Sequence, residues 1–198
     1  MKNFSLPLTL RFKLIALAPQ IFLEDSSGQT LLYIKQKLLK LKEEVVVYAD
    51  QAQSQQTHTI KADRVLDFRA RYTITGQVGQ TLGAIKQRGM KSLWKAHFDV
   101  EDAFGRESFF IEEENPWIRM LDGFFDSIPI IGMLSGYLFQ PTYLVKRVDG
   151  RLVMKLKKQP AMWEGRFQLT QEAPTSHAEN ELLALSVVMM TLLERSRG

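Results

Sequence analysis

A turn glycine followed by a strand recurs along this chain. Gly28-Gln29-Thr30-Leu31-Leu32-Tyr33-Ile34-Lys35-Gln36 returns as Gly79-Gln80-Thr81-Leu82-Gly83-Ala84-Ile85-Lys86-Gln87. A looser copy is Gly150-Arg151-Leu152-Val153-Met154-Lys155-Leu156-Lys157-Lys158. Units of this kind fix an architecture, because one unit alone cannot bury its apolar face and must stack on its neighbours. The second and third copies extend further. Trp94, Ala96, Phe98 and Val100 alternate with Lys95, His97, Asp99 and Glu101. Trp163, Gly165, Phe167 and Leu169 alternate in the same way with Glu164, Arg166, Gln168 and Thr170. A period of two is the mark of a strand with one buried face. The chain therefore reads as mainly β.

Other strands follow the same rule. Leu6, Leu8, Leu10, Phe12 and Leu14 alternate with polar or small residues, and Arg11 and Lys13 break any continuous apolar run, so this is a first strand and not a signal peptide. Val45 to Tyr48 is β-branched and aromatic. Val65 to Thr75 places Phe68, Ala70, Tyr72 and Ile74 on one face, and Ser108 to Glu112 is a further strand. Asp25-Ser26-Ser27-Gly28, Gly76 with Gly79, and Asp102-Ala103-Phe104-Gly105 are turns, while Asp50 to Thr57 reads as a polar loop.

Two segments depart from the β pattern. Residues 115–141 contain Asn115-Pro116 as a helix start, then Trp117, Phe124, Phe125, Tyr137 and Phe139 among glycines and prolines. They are expected to form a short helical insertion. The C-terminal segment, about 177–195, opens with the capping box Ser176-x-x-Glu179. From Leu182 to Leu193 it is apolar on every side except at Ser186 and Thr191, both able to bond back to the helix backbone. A helix apolar all round belongs in a core or a membrane. Its apolar stretch is about 18 Å long, short of the ~20 residues a bilayer requires. The expected solution is a sheet curled around the helix and closed on itself, which also removes exposed strand edges.

With 198 residues the chain suits a single domain, 1–198. It has no cysteine, so disulfides, thiolate metal sites and a cysteine nucleophile are excluded. The charge of +4 is uneven: residues 1–100 carry 15 Lys/Arg against 8 Asp/Glu, and the remainder 11 against 14. A basic half favours an anionic partner.

The repeated turn-glycine strands, the tryptophan-bearing late strand and the apolar terminal helix resemble the tubby C-terminal-like superfamily, which includes LURP-one-related proteins and phospholipid scramblases. The matching pieces are Gly28 to Lys35, Gly79 to Lys86, Gly150 to Leu156 and Leu182 to Leu193. The resemblance implies a closed antiparallel barrel of about twelve strands around a central hydrophobic C-terminal helix. It implies non-enzymatic binding roles, among them phosphoinositide binding and lipid scrambling. The cysteine-rich segment of scramblases has no counterpart here.

Signals for catalysis are weak. His58 is read as lying in a loop, His97 on a strand's polar face and His177 near a helix start, without metal-ligand spacing. Neither a nucleophile elbow nor a phosphate-binding loop occurs. Glu112-Glu113-Glu114 reads as a solvated strand end, and Asp99, Glu101 and Asp102 as a polar hairpin with a cation as the lesser reading. The expectation is a chain that is not an enzyme and needs no cofactor or metal.

The better lead is the basic strands. Lys35 and Lys37, Lys86 and Arg88, and Lys155 and Lys157 each share a face, since side chains two apart point the same way. They are expected to offer a surface for lipid headgroups or other phosphates. Nucleic acid is not expected, because the aromatics alternate onto the opposite face. The sequence thus predicts a cytoplasmic binding or scaffold module, peripheral to membranes through anionic phospholipid. The alternative is a protein-interaction module that docks through Trp117, Phe124, Phe125, Tyr137 and Phe139.

Overall fold

A computed structural model of the chain describes residues 4–13, 20–35, 44–64, 70–88, 96–115, 141–161 and 164–195. Twelve strands are formed: β1 (Leu8–Lys13), β2 (Gln20–Glu24), β3 (Thr30–Lys35), β4 (Glu44–Tyr48), β5 (Gln56–Ala62), β6 (Arg71–Gly76), β7 (Thr81–Gln87), β8 (His97–Asp102), β9 (Glu107–Glu113), β10 (Thr142–Arg147), β11 (Leu152–Gln159) and β12 (Glu164–Gln171). Each pairs antiparallel with its neighbour in sequence, and β1 pairs with β12 to close the barrel. Among the described residues one helix, α1 (His177–Arg195), follows. The expected twelve-strand barrel with a C-terminal helix is what the chain forms. Among the described residues, β3 and β4 are joined at Tyr33 and Tyr48.

The three sequence repeats open β3, β7 and β11, four strands apart, so they recur at each third of the circumference. Each follows the same hairpin. The amide of Gly28, Gly79 or Gly150 donates to the carbonyl three residues back, at 2.8–3.0 Å. At Gly79, for instance, φ is +85°, a left-handed conformation that residues with a Cβ adopt at a cost. In all three the register slips by one residue at the same place, so Leu31, Leu82 and Val153 are the extra residues of the bulges. A tight turn followed by a bulge twists the strands, which closure of a barrel demands. Two further hairpins share the design without the phrase. Gly105 turns β8 into β9, and Gln53, with φ 57°, turns β4 into β5.

Alternation sorts the faces. Val45, Val47, Ile60, Ile74, Ile85, Phe98, Val100, Ile111, Val145 and Leu156 are fully buried and line the interior. Leu182 to Leu192 fill it, each residue of that stretch being buried, so α1 is the barrel's core. The helix backbone lies closest to β7 and β8. Gly83 permits this approach: a Cβ there would overlap the Glu101 carbonyl oxygen and lie 2.8 Å from Leu182 Cδ1. The capping box forms as read. Glu179 N donates to Ser176 Oγ at 3.2 Å, and Ser176 N to Glu179 Oε2 at 2.7 Å. Thr191 bonds back to the Val187 carbonyl at 2.7 Å, whereas the Ser186 hydroxyl has no hydrogen-bond partner among the described residues. At the far end of the helix the Arg195 guanidinium lies over the Phe12 ring, 4.8 Å from its centre.

Several local readings are corrected. His58 is on β5 and buried, not in a loop. The glutamate run is not a solvated end: Glu112 pairs with Lys146 at 2.8 Å, Glu114 lies 3.6 Å from Lys155, and Glu113 is fully buried. Strand alternation turns Glu113 inward because Ile111 and Phe109 point that way too. Asp99 and Glu101 sit within β8 and are buried, and only Asp102 reaches the turn. The part of the Val65 to Thr75 strand before Ala70, and the Trp94 and Trp163 positions, lie outside the described residues.

Candidate functional site: the hairpin rim

Because consecutive strands alternate in direction, every even-to-odd hairpin lies at one end of the barrel. This end is the hairpin rim. It carries the β2–β3, β4–β5, β6–β7, β8–β9 and β10–β11 turns, and α1 enters the barrel through it after β12. The internal residues outside the described set fall between odd and even strands.

The helix is tied to this rim by two carboxylates. Glu179 accepts from Arg147 at the end of β10 at 2.8 Å. Burial pushes the Glu179 carboxyl up, but the bonds from Arg147 and Ser176 outweigh it and hold it below the usual carboxylate range. Glu181 Oε1 lies 3.0 Å from His58 Nε2. A carboxylate only accepts, so the Nε2–H donates, while Nδ1 sits 3.0 Å from Thr57 Oγ1. That bond lowers the Glu181 carboxyl further than burial raises it. The Phe4 ring stands edge-on to His58, with centres 6.4 Å apart.

A pH dependence follows. In the unfolded chain these glutamates titrate near about pH 4.3. Their folded values are lower, so their stabilisation is complete above that pH and is lost as pH falls through the folded values. The urea midpoint is expected to drop below about pH 4.3, and less steeply in Glu181→Gln. An unchanged slope in that variant would show that Glu181 contributes nothing.

Beside His58 opens a pocket of about 380 Å³. Phe4, Leu32, Ala49 and Val78 form its apolar wall. Gln55, Thr57, His58, Gln77, Gln80 and Glu181 supply its polar groups, and neither lysine nor arginine is among the lining residues. The sequence reading missed this site. His58 and Glu181 are 123 positions apart, and only closure of the barrel on the helix brings them together.

The same rim carries the large apolar side chains that are exposed among the described residues. Val78 is 87% exposed, Phe104 83% and Val148 62%. They cap three successive hairpins, β6–β7, β8–β9 and β10–β11, and Val148 N reaches the Ser108 carbonyl of the adjoining hairpin at 3.2 Å. Arg106, Arg147 and Arg151 flank them, with the Arg106 guanidinium 5.2 Å from the Phe104 ring centre. Asp102 and Asp149 accept hydrogen bonds from their own turns. The opposite half of the rim is polar and acidic: Asp25 and Asp50 head its turns, and residues 25–29 and 49–55 contain no lysine or arginine.

The basic strands lie on the outer wall. Lys35, Lys86 and Lys157 each stand seven residues after their turn glycine, but on β3, β7 and β11, one third of the barrel apart. A flat partner meets one of these positions at a time. Lys86 lies 3.8 Å from Glu101 and 3.5 Å from Glu107, and Arg88 Nε lies 3.1 Å from Asp99. Arg71 bonds Glu101 at 2.7 Å. Burial raises the Asp99 carboxyl, but the His97 bond and the Arg88 charge more than offset it. Lys155 lies beside Glu114, while Lys35 and Lys157 are exposed. Lys37 lies outside the described residues, as do Trp117, Phe124, Phe125, Tyr137 and Phe139 of the 115–141 insertion. Among the described residues no group of His, Asp or Glu is arranged to hold a metal ion, and no helix is long and apolar enough to cross a membrane.

Comparison with known proteins adds the fold. An Arabidopsis thaliana protein of known X-ray structure superposes with a TM-score of 0.51 over 97% of this chain and 92% of its own, at 12% sequence identity. At that identity the likeness is one of fold. No protein-family model matches the sequence, and no curated protein matches it significantly.

Proposed function

We propose that this protein is a non-enzymatic binding module, of the tubby-like and LURP-one type, that docks on anionic phospholipid surfaces. The observation that carries the reading is the asymmetric rim: Val78, Phe104 and Val148 project singly from three adjacent tips with Arg106, Arg147 and Arg151 around them. Isolated apolar side chains on separate tips suit insertion between headgroups better than a flat protein interface, whose apolar core is contiguous. Arg106 and Arg147 are already paired with Asp102 and Glu179, so Arg151 is the arginine that attracts an anionic leaflet, at about 1 kcal/mol, while Asp25 and Asp50 on the opposite half of the rim would be repelled. The barrel thus meets the surface tilted toward β6–β11. The lysines of a single outer wall, Lys155 and Lys157, would add to the attraction without setting the contact.

Flotation with vesicles of phosphatidylcholine, with and without phosphatidylserine, tests this. Binding is expected only with phosphatidylserine and is expected to fall with salt. The combined Val78→Ser, Phe104→Ser and Val148→Ser variant is expected to bind roughly 100-fold more weakly, at about 1 kcal/mol per partly inserted side chain. These positions are exposed, so the variant keeps its melting temperature. Equal binding by the variant would remove the rim from the mechanism, and failure of the parent chain to bind at low salt would remove the lipid.

A further inference from the structure

The pocket beside His58 has a charge pattern that selects a ligand. Glu181 projects from α1 into it with one oxygen on His58. The second oxygen has no hydrogen-bond partner among the described residues, and the side chain is 18% exposed. An occupant lying against Glu181 covers that oxygen. A neutral apolar molecule would strip its water and return nothing, which is costly for a carboxylate. An anion would face the carboxylate with no lysine or arginine among the described lining residues to balance it. A divalent metal requires several hard oxygen ligands, and Glu181 is the one carboxylate among the described lining residues. A primary ammonium group satisfies the site: it gives one hydrogen to Glu181 and leaves the others to water and the polar lining of Gln55, Thr57 and Gln77. The apolar wall of Phe4, Leu32, Ala49 and Val78 then takes a short hydrocarbon chain, and about 380 Å³ suits a ligand of this size.

We infer that the hairpin-rim pocket binds a primary amine carried on a short apolar chain, with Glu181 as its counter-ion. The site does not depend on membrane docking. An ammonium of this kind is found both in soluble alkylamines and in aminophospholipid headgroups, so the two sources are tested separately.

The experiment uses the full chain labelled with ¹⁵N. Hexylammonium is titrated at neutral pH, with hexanol and hexanoate as the neutral and anionic counterparts. Saturable amide shifts confined to the pocket are expected with hexylammonium, with hexanol at least tenfold weaker and hexanoate inactive. Glu181→Gln, which can still accept from His58, is expected to weaken hexylammonium at least tenfold. Ala49→Leu, which enlarges a side chain of the apolar wall and leaves the His58 and Glu181 side chains themselves unchanged, is expected to abolish binding and keeps the test decisive should Glu181→Gln fail to fold. Vesicles containing phosphatidylethanolamine are then added as competitor. Displacement assigns a lipid-borne amine and saturation without displacement a soluble one, and either supports the site. Absence of shifts at millimolar hexylammonium, or equal response to all three probes, overturns it. Neither result bears on flotation, so the two proposals fail separately.

Discussion

Val188→Asp is expected to yield no folded protein. Val188 is fully buried on the inner helix, as is Leu185, and the same outcome is expected for Leu185→Asp. Among the described residues the interior around mid-helix is apolar, and burying an unpaired carboxylate there costs several kcal/mol or more. Total stability of such a domain is only about 5–15 kcal/mol. The loss is magnified because α1 is the core of the barrel: all its residues from Leu182 to Leu192 are buried. Recovery of soluble protein and the near-ultraviolet circular dichroism check this. A soluble variant with an unchanged melting temperature would show that the helix does not occupy the interior.

The second large effect is expected at Gly83. Gly83→Ala should lower stability by about 3 kcal/mol, because the new methyl meets the Glu101 carbonyl oxygen, which is backbone and cannot swing away, and Leu182 Cδ1 at 2.8 Å. In a chain of this length that corresponds to roughly 10 °C in melting temperature. Gly79→Ala is the matched control. Its Cβ would meet nothing within 4 Å, and only the left-handed φ of +85° opposes it, at roughly 1 kcal/mol. Equal shifts in the two variants would mean that neither the Glu101 carbonyl nor the helix presses on Gly83. The comparison separates two uses of glycine within one repeat: a turn at Gly79 and a close approach at Gly83.

Those two glycines also mark how much was legible. The first copy of the repeat has Leu32 where the second has Gly83, and the sequence displays that difference without giving its cause. The cause is the Glu101 carbonyl of the neighbouring strand together with Leu182 of the helix, which arrives from a hundred residues away. The capping box at Ser176 and the back-bond of Thr191 were readable because they are local, within four residues of their partners. Glu113 was misread for the converse reason. Three consecutive glutamates look solvated in a linear string, yet a strand must turn the middle one to the face opposite its neighbours. The pairing of His58 with Glu181 had no signal at all, since neither residue stands in a motif. The exposed tips, Val78, Phe104 and Val148, were visible as turn residues, but nothing in the string says that their turns adjoin.

What the sequence determined by itself is therefore the periodic part. The strand alternation, the turn glycines and the all-round apolar helix specify a closed barrel around a helix, because each rests on interactions between residues close in the chain. What only the tertiary structure decided is which of those residues meet. Placing the repeats four strands apart spread the lysines around the barrel, and alternating the strand directions gathered five hairpins and the start of the helix at one end. Both outcomes follow from closure, a condition on the whole chain that no local stretch of residues contains.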